Sequence, residues 1–310
     1  MRLDAVMVWG VSLLLLLLPL SIWQGLPLIP LLIAFSFPHF VATYVIWQGK
    51  VTSWRQEWAA LGFPVAYLGL CWWAESGPGW VKSLPYQLTY LYLVYHFARQ
   101  TYGAALWGGL RLGCQFTRPQ KRWLGLWFLS VPSTAIYAFF AQTKPRTLFY
   151  HPIKPWILPT APIPYLYLLL GVILVGTMIS LGLHYHQQKK AGVLWPVVML
   201  ALPLIWFLPP FHASQWVPLI PLLHAIQYAP FWSKLLWASP TPWYKKCAHY
   251  LAFVAVGWLL FRWMPLRLVD LTNITVFYAM WIGMLNAHHF LIDGRIWKLS
   301  DEKNRALFTS

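Results

Sequence analysis

Stretches of about 20 predominantly apolar residues recur along the whole chain, and this recurrence constrains the fold more than any other feature. A helix of that length crosses the hydrocarbon core of a bilayer. Only 10% of the residues are charged, against roughly 25% in soluble domains, so a soluble fold could not bury the apolar surface. The sequence therefore predicts an all-α, polytopic transmembrane helix bundle.

We predict about ten spans, within a range of roughly eight to ten, in a single integral membrane domain covering residues 1–310. The predicted spans are 5–23, 26–47, 57–74, 84–106, 123–142, 160–183, 193–210, 214–236, 247–264 and 270–292. Residues 293–310 are expected to form a short cytoplasmic tail. Prolines interrupt spans 26–47 and 193–210, and each frees a backbone carbonyl that protein or water must satisfy.

The basic residues carry information about topology rather than about nucleic acid. Most of those between spans fall on the side that holds the N-terminus, so the positive-inside rule places both termini in the cytoplasm. The net charge of +16 then fits contact with anionic headgroups of membrane lipids, and we expect no nucleic-acid partner. Three cysteines lie far apart without a CxxC pair, which argues against a disulfide framework and a thiolate zinc site.

Histidines inside apolar spans are the unusual chemical feature of the chain. They are His39, His96, His224, and the adjacent pair His288 and His289. On the predicted topology their four spans run in the same direction. With the last span continued through Trp297, and at a rise of ~1.5 Å per residue, each of the four spans places an imidazole roughly 12–18 Å from its cytoplasmic end. Ionisable groups inside a membrane are rare and usually functional, so we expect a shared site.

Each of these histidines has a polar neighbour about one helical turn closer to the cytoplasm. The pairs are His39 with Thr43, His96 with Gln100, His224 with Gln227, and His289 with Asp293. Residues three or four apart share a helix face, so the four faces can converge on one metal site. We expect His39, His96 and His224 as ligands together with His288 or His289, and we favour His289 because Asp293 shares its face.

The remaining polar residues have supporting roles with open alternatives. Gln100, Gln227 and Asp293 are candidates for hydrogen bonds to the ligating imidazoles, and Asp293 is also a candidate ligand. Arg99 is expected to pair with Asp293, to hold an anionic headgroup or substrate carboxylate, or to extend its side chain to the membrane surface. Each histidine also has the alternative of being a hydrogen-bonded packing residue.

Imidazole suits iron, copper and zinc. Non-haem iron is the preferred prediction, with copper or haem as alternatives. Only seven carboxylates occur in the chain, which argues against a carboxylate-bridged di-iron centre, because such a centre needs several inward Glu residues.

The segments YHFARQTYGAA, HAIQYAP, HHFLIDGRIWK and PHFVATY resemble a poorly characterised family of bacterial polytopic membrane proteins. That family's pattern often has a second histidine or polar residue after IQY, where this chain has Ala229 and Pro230. A more distant similarity is to the bacterial β-carotene 15,15′-dioxygenase membrane family. The resemblance implies iron bound by His39, His96, His224 and one of the two adjacent histidines, in the bacterial inner membrane.

Three functions are compatible with these features. The first is a membrane-embedded, histidine-ligated non-haem oxidoreductase or oxygenase acting on a lipid-like, isoprenoid or carotenoid substrate, with a redox partner that the sequence does not identify. The second is a haem- or quinone-binding electron-transfer protein. The third is a transporter or assembly factor in which the histidines relay protons or pack structurally.

Overall fold

The computed structural model of the protein describes residues 17, 28–51, 53–141, 146–148, 151–153, 158–188, 194–207, 221–229, 241–272 and 276–296. Apart from one short hairpin, every regular element in these ranges is helical, which confirms the helical fold. The total of about ten spans and the cytoplasmic location of both termini stay predictions. Span 5–23 lies outside the described residues except for residue 17.

Nine helices, one 3₁₀ turn (Trp54–Glu57, directly before the second helix) and two strands are described. They are α1 (Leu28–Leu31, a π turn Leu32–Ser36, and Phe37–Lys50), α2 (Trp58–Glu75), α3 (Gly79–Arg111), α4 (Arg118–Phe140), β1 (Arg146–Leu148), β2 (His151–Ile153), α5 (Ile163–Gln188), α6 (Leu194–Phe207), α7 (221–229), α8 (Trp243–Trp258, a π turn Leu259–Trp263, and Met264–Thr272) and α9 (Val276–Ile296). Of the predicted span 214–236, only α7 is described.

Four of the described helices are long and apolar enough to cross a membrane: α1 over Ile29–Lys50, α4, α5 over Ile163–His184, and α8 over Trp243–Asp270. Much of their surface is apolar and exposed, as at Val172 and Ile179 on α5 and at Leu251 on α8. Apolar patches of this kind are unusual on soluble monomers. The exposed surface therefore fits contact with lipid.

The prolines in two helices are accommodated by side chains from elsewhere in the fold. Pro38 cannot donate to the carbonyl of Ala34, and the hydroxyl of Tyr250 donates to that oxygen instead. In α8, the π turn precedes Pro265, and the indole nitrogen of Trp281 donates to the carbonyl of Leu260 at 2.7 Å. The carbonyls of Ala34 and Leu260, each close to a π turn and a proline, thus accept hydrogen bonds from side chains, as carbonyls left unpaired inside a membrane require.

Helix α9 lies at the centre of the arrangement. It packs against α1, α2, α3 and α8, while α3 also packs against α2, α4 and α6. Most of α9 is buried, including its polar residues Asn286, His289 and Asp293. A helix that is buried on nearly all sides can present several side chains to neighbouring helices at once.

Three features of the fold differ from the sequence prediction. Helix α8 continues to Thr272, because the π turn absorbs the break that Pro265 would otherwise cause at 264. Residues 293–296, assigned to the tail, form the last turn of α9. Strands β1 and β2 pair antiparallel, with Arg146 opposite Ile153, in a connection too rich in proline for a helix.

Candidate metal centre

The imidazole Nε2 atoms of three buried histidines meet between α1, α7 and α9. Nε2 of His39 lies 3.1 Å from Nε2 of His224 and 3.2 Å from Nε2 of His289. All three side chains are at most 1% exposed. Two donors bound to one metal at about 2.1 Å lie roughly 3.0–3.4 Å apart at octahedral or tetrahedral angles. The two measured spacings therefore fit nitrogens that share a metal ion, and they also fit N–H···N hydrogen bonds.

The carboxylate of Asp293 completes this group. Its Oδ2 lies 3.4 Å from Nε2 of His289, 3.9 Å from Nε2 of His39 and 4.0 Å from Nε2 of His224. One donor atom from each of these four residues lies within 4.8 Å of every other. A buried group with three imidazoles and one carboxylate can hold a metal ion. We call His39, His224, His289 and Asp293 the His₃Asp cluster.

His96 lies at the edge of the cluster. Its Nε2 is 3.4 Å from Oδ2 of Asp293, and its side chain is 11% exposed, whereas the three histidines of the cluster are almost fully buried. Its ring lies 5.2 Å from that of His224 between centroids. The convergence of imidazoles from α1, α3, α7 and α9, expected from their matched depths, is thus present in the structure.

The donor atoms of the cluster can accommodate a cation. A neutral imidazole carries a single N–H, and at most one proton fits between two Nε2 atoms 3.1 Å apart. Nε2 atoms that carry no proton repel one another and the Asp293 oxygen in a buried, apolar environment. One cation at the centre is attracted to all of these lone pairs at the same time, so the donor set fits a metal ion.

Thr43 orients the carboxylate of Asp293. The Thr43 hydroxyl donates to Oδ1 of Asp293 at 2.9 Å, which leaves Oδ2 directed toward the histidines. Sequence spacing suggested Thr43 only as a neighbour of His39 one turn away. Its partner lies 250 residues further along the chain, and no local pattern relates the two.

Aromatic side chains stack against the imidazoles. Phe40 stacks on His289 with centroids 3.9 Å apart, Phe290 stacks on His96 at 4.4 Å, and Tyr228 stacks on His224 at 5.6 Å. Such contacts hold the ring planes in place without taking up their nitrogens. The stacking therefore favours a fixed orientation of the ligands in an apolar enclosure.

His288 lies outside the cluster, although it was one of the two alternatives for the fourth ligand. Its Nε2 donates to the carbonyl of Ala60 at 2.9 Å, and its Nδ1 accepts from the hydroxyl of Tyr44 at 2.9 Å. Both ring nitrogens are engaged on the far side of α9, since neighbouring residues on a helix point about 100° apart. The preference for His289 over His288 agrees with this geometry.

The other predicted site residues occupy different positions. Gln100 and Gln227 are buried. Neither amide bonds the Nδ1 atoms of the three cluster histidines, which lack a hydrogen-bond partner within the described ranges. Arg99 is exposed, so it does not pair with Asp293.

No family model, no curated protein and no solved structure matches this chain in comparisons with known proteins.

Proposed function

We propose that the protein is a membrane-embedded oxidoreductase with a histidine-ligated, non-haem iron centre, acting on a lipid-like substrate such as an isoprenoid, a carotenoid or an acyl chain. The observation that carries the proposal is the convergence of four imidazole Nε2 atoms on Oδ2 of Asp293. Buried imidazoles that share one carboxylate are expensive to assemble in an apolar interior unless they bind something.

The donor chemistry supports a metal of intermediate softness. Imidazole suits iron, copper and zinc, and a carboxylate ligand favours iron or zinc over copper(I). No thiol belongs to the cluster. Sγ of Cys114, just beyond the end of α3, lies 3.2 Å from Nε2 of His184. Cys71 lies on α2. Nitrogen and oxygen donors with a single carboxylate are typical of non-haem iron sites that react with oxygen.

Haem fits the cluster poorly. Two axial histidines on one haem iron stand on opposite faces of a flat macrocycle, with nitrogens roughly 4 Å apart along a line through the iron. The Nε2 atoms of His39 and His289 are 3.2 Å apart, and Asp293 lies in the space that the macrocycle would need. A compact ion is therefore the better occupant, and we do not favour electron transfer through haem.

The residues around the centre would have separate roles. His39, His224, His289 and Asp293 would hold the ion, and His96 would complete its coordination from α3. Thr43 would keep Oδ2 of Asp293 on the ion, while Phe40, Phe290 and Tyr228 would exclude water. The bound iron would supply the binding and activation of O₂ at this position. The surrounding apolar helices would admit a substrate directly from the bilayer.

The cellular setting belongs to the same proposal. The protein would be a multi-pass protein of the bacterial inner membrane, with about ten spans and both termini in the cytoplasm. The four membrane-length helices and the exposed apolar surface of α5 and α8 support a membrane location. The excess of basic residues on one side of the predicted spans supports the orientation.

Oxygen uptake by the purified, iron-loaded protein tests the reaction. β-Carotene, a long-chain prenol and an unsaturated fatty acid would each be supplied in detergent with ¹⁸O₂, with and without a reductant. We expect one of these classes to take up labelled oxygen with the wild type but not with His39→Ala. Product formation without a reductant would indicate a dioxygenase, whereas a requirement for reductant would indicate a separate redox partner. An iron-loaded protein that oxidises none of the three classes would contradict the proposal.

A further inference from the structure

One face of α3 is exposed along much of its length and carries an unusual combination of side chains. Its members are Leu88, Tyr92, Tyr95 and Arg99, spaced by four, three and four residues. This spacing places them on one side of a helix. The first three are 46%, 36% and 51% exposed, and Arg99 is exposed as well. We call this face the α3 stripe; it is apolar and aromatic, and ends in a cation.

In the predicted span 84–106, Arg99 lies where a membrane helix rarely tolerates a charge. Between Lys82 and Arg111 it is the only Lys, Arg, Asp or Glu. The hydrocarbon core accommodates about 20 helical residues, and every window of that length between these two charged ends includes both His96 and Arg99. A guanidinium at such a depth is costly unless it meets an anion or water.

The structure offers Arg99 no carboxylate among the described residues. Its guanidinium carbon lies 6.0 Å from the centroid of the Tyr102 ring, and every ion pair in the described ranges involves other residues. Asp293, the nearest candidate in the sequence analysis, is engaged by Thr43 and the histidines. Among the described residues, the guanidinium of Arg99 therefore has no acidic partner.

The α3 stripe adjoins the edge of the metal cluster. His96, the one partly exposed histidine of the centre, lies one residue beyond Tyr95 and three before Arg99. The ring of Phe290 stacks on His96 at 4.4 Å and lies 6.1 Å from the ring of Tyr92. Contacts between aromatic rings thus run from the exposed face of α3 to the ring of His96.

We propose that the α3 stripe binds a single-chain lipid with a carboxylate head group. The carboxylate pairs with Arg99, and the chain runs over Tyr95 and Tyr92 toward Leu88. Arg–carboxylate pairs are commonly bidentate, and one cation matches one negative charge, whereas a phosphate monoester carries nearly two. This inference rests on the proposed function and narrows its substrate class from lipids in general to ionised amphiphiles.

The geometry places part of that chain beside the metal cluster. Along the helix axis, His96 is ~4.5 Å from Arg99, and Leu88 is ~16 Å from Arg99. Carbons near the head group would lie next to His96, while the distal chain would remain on the aromatic surface. An uncharged hydrocarbon would lack the contact with Arg99 that fixes the position of the chain along α3.

Binding of oleic acid and of its methyl ester to the full-length protein tests the inference. Metal-loaded wild type and variants in phosphatidylcholine nanodiscs would be compared at alkaline pH, where the acid is ionised. We expect the wild type to bind the acid at least about tenfold more tightly than the ester, and Arg99→Gln to lose this preference. Arg122→Gln removes an exposed cation on α4, and it should keep the preference, as Arg99→Lys should in part.

Metal content in every variant separates this inference from the proposed function. Arg99→Gln should retain the metal of the wild type, since Arg99 does not contact the cluster. Equal preference for the acid in wild type and Arg99→Gln would mean that the side chain only extends to the membrane surface, and would overturn the inference. Tighter binding of oleyl phosphate than of oleic acid would overturn the carboxylate assignment. A metal-free wild type that still prefers the acid through Arg99 would refute the proposed function alone.

Discussion

The hydroxyl of Thr43 donates a hydrogen bond to Oδ1 of Asp293 at 2.9 Å, between helices α1 and α9. Both side chains are buried. This bond fixes the carboxylate so that its other oxygen faces the imidazoles of His289 and His96, 3.4 Å from each. Loss of a residue that orients a metal ligand in this way typically weakens metal binding about 10- to 100-fold. Thr43 therefore belongs to the candidate site together with the histidines.

Replacement of Thr43 by Val should weaken metal binding without removing a ligand. Valine has a similar shape but lacks the hydroxyl, so Oδ1 of Asp293 loses its donor and the carboxylate can rotate. We expect the metal affinity to fall about 10- to 100-fold, measured by competition with a chelator. Thr43→Ser retains a hydroxyl and should stay within a few-fold of the wild type. Equal affinities in all three proteins would show that Thr43 does not position Asp293.

Charge on Asp293 can be separated from its shape. Asp293→Asn keeps an acceptor for Thr43 but removes the negative charge that faces the imidazoles. We expect metal affinity to fall by more than about a hundredfold, beyond the effect of an orienting residue. The same chelator competition measures it. An Asn variant that retains wild-type affinity would mean that the carboxylate is not a ligand.

The adjacent pair His288 and His289 provides a matched comparison on one helix. His289→Gln should abolish stoichiometric metal, because it removes an Nε2 atom from the cluster. His288→Gln should keep the metal but weaken the hydrogen bonds to Ala60 and Tyr44. We expect the free energy of unfolding to fall by about 1–3 kcal/mol. Metal analysis and thermal unfolding in detergent check the two effects. The reverse assignment, with metal lost only in His288→Gln, would refute the geometry.

The hydroxyl of Tyr250 should stabilise α1 through the carbonyl that Pro38 frees. Tyr250→Phe leaves the Ala34 carbonyl without its hydrogen-bond donor inside an apolar bundle. We expect the free energy of unfolding to fall by about 1–3 kcal/mol. Pro38→Ala restores a backbone N–H, so the loss caused by Tyr250→Phe should be smaller in that background. Tyr244→Phe, at an exposed position on α8, serves as the control. Identical losses in both backgrounds would contradict the link between Tyr250 and Pro38.

The helices, and the depth of the histidines along them, were predictable because both depend only on residues close together in the sequence. Apolar length identifies a helix that can cross a bilayer, and a fixed rise per residue converts position into depth. His39, His96, His224 and His289 meet for these reasons. Asp293 was assigned correctly to the face of His289, since residues four apart on a helix share a face.

The rotation of each helix and the contacts across helices were not predictable from spacing. His288 differs from His289 only by about 100° around α9, and packing against α1 and α2 decides which ring faces the cluster. Arg99 looked like a partner for Asp293 because both are charged and deep, yet the orientation of α3 turns it outward. The pairing of Thr43 with Asp293 depends on the relative position of two helices from opposite ends of the chain.

X-ray absorption at the metal edge of the purified, metal-loaded protein tests the central claim most directly. We expect about one metal per chain, a first shell of nitrogen and oxygen at about 2.0–2.2 Å, and outer scattering from at least three imidazoles. His39→Ala should lose that imidazole signal together with the metal. A first shell that contains sulfur at about 2.3 Å, or a protein that takes up no stoichiometric metal from metal-replete cells or on reconstitution, would contradict the account.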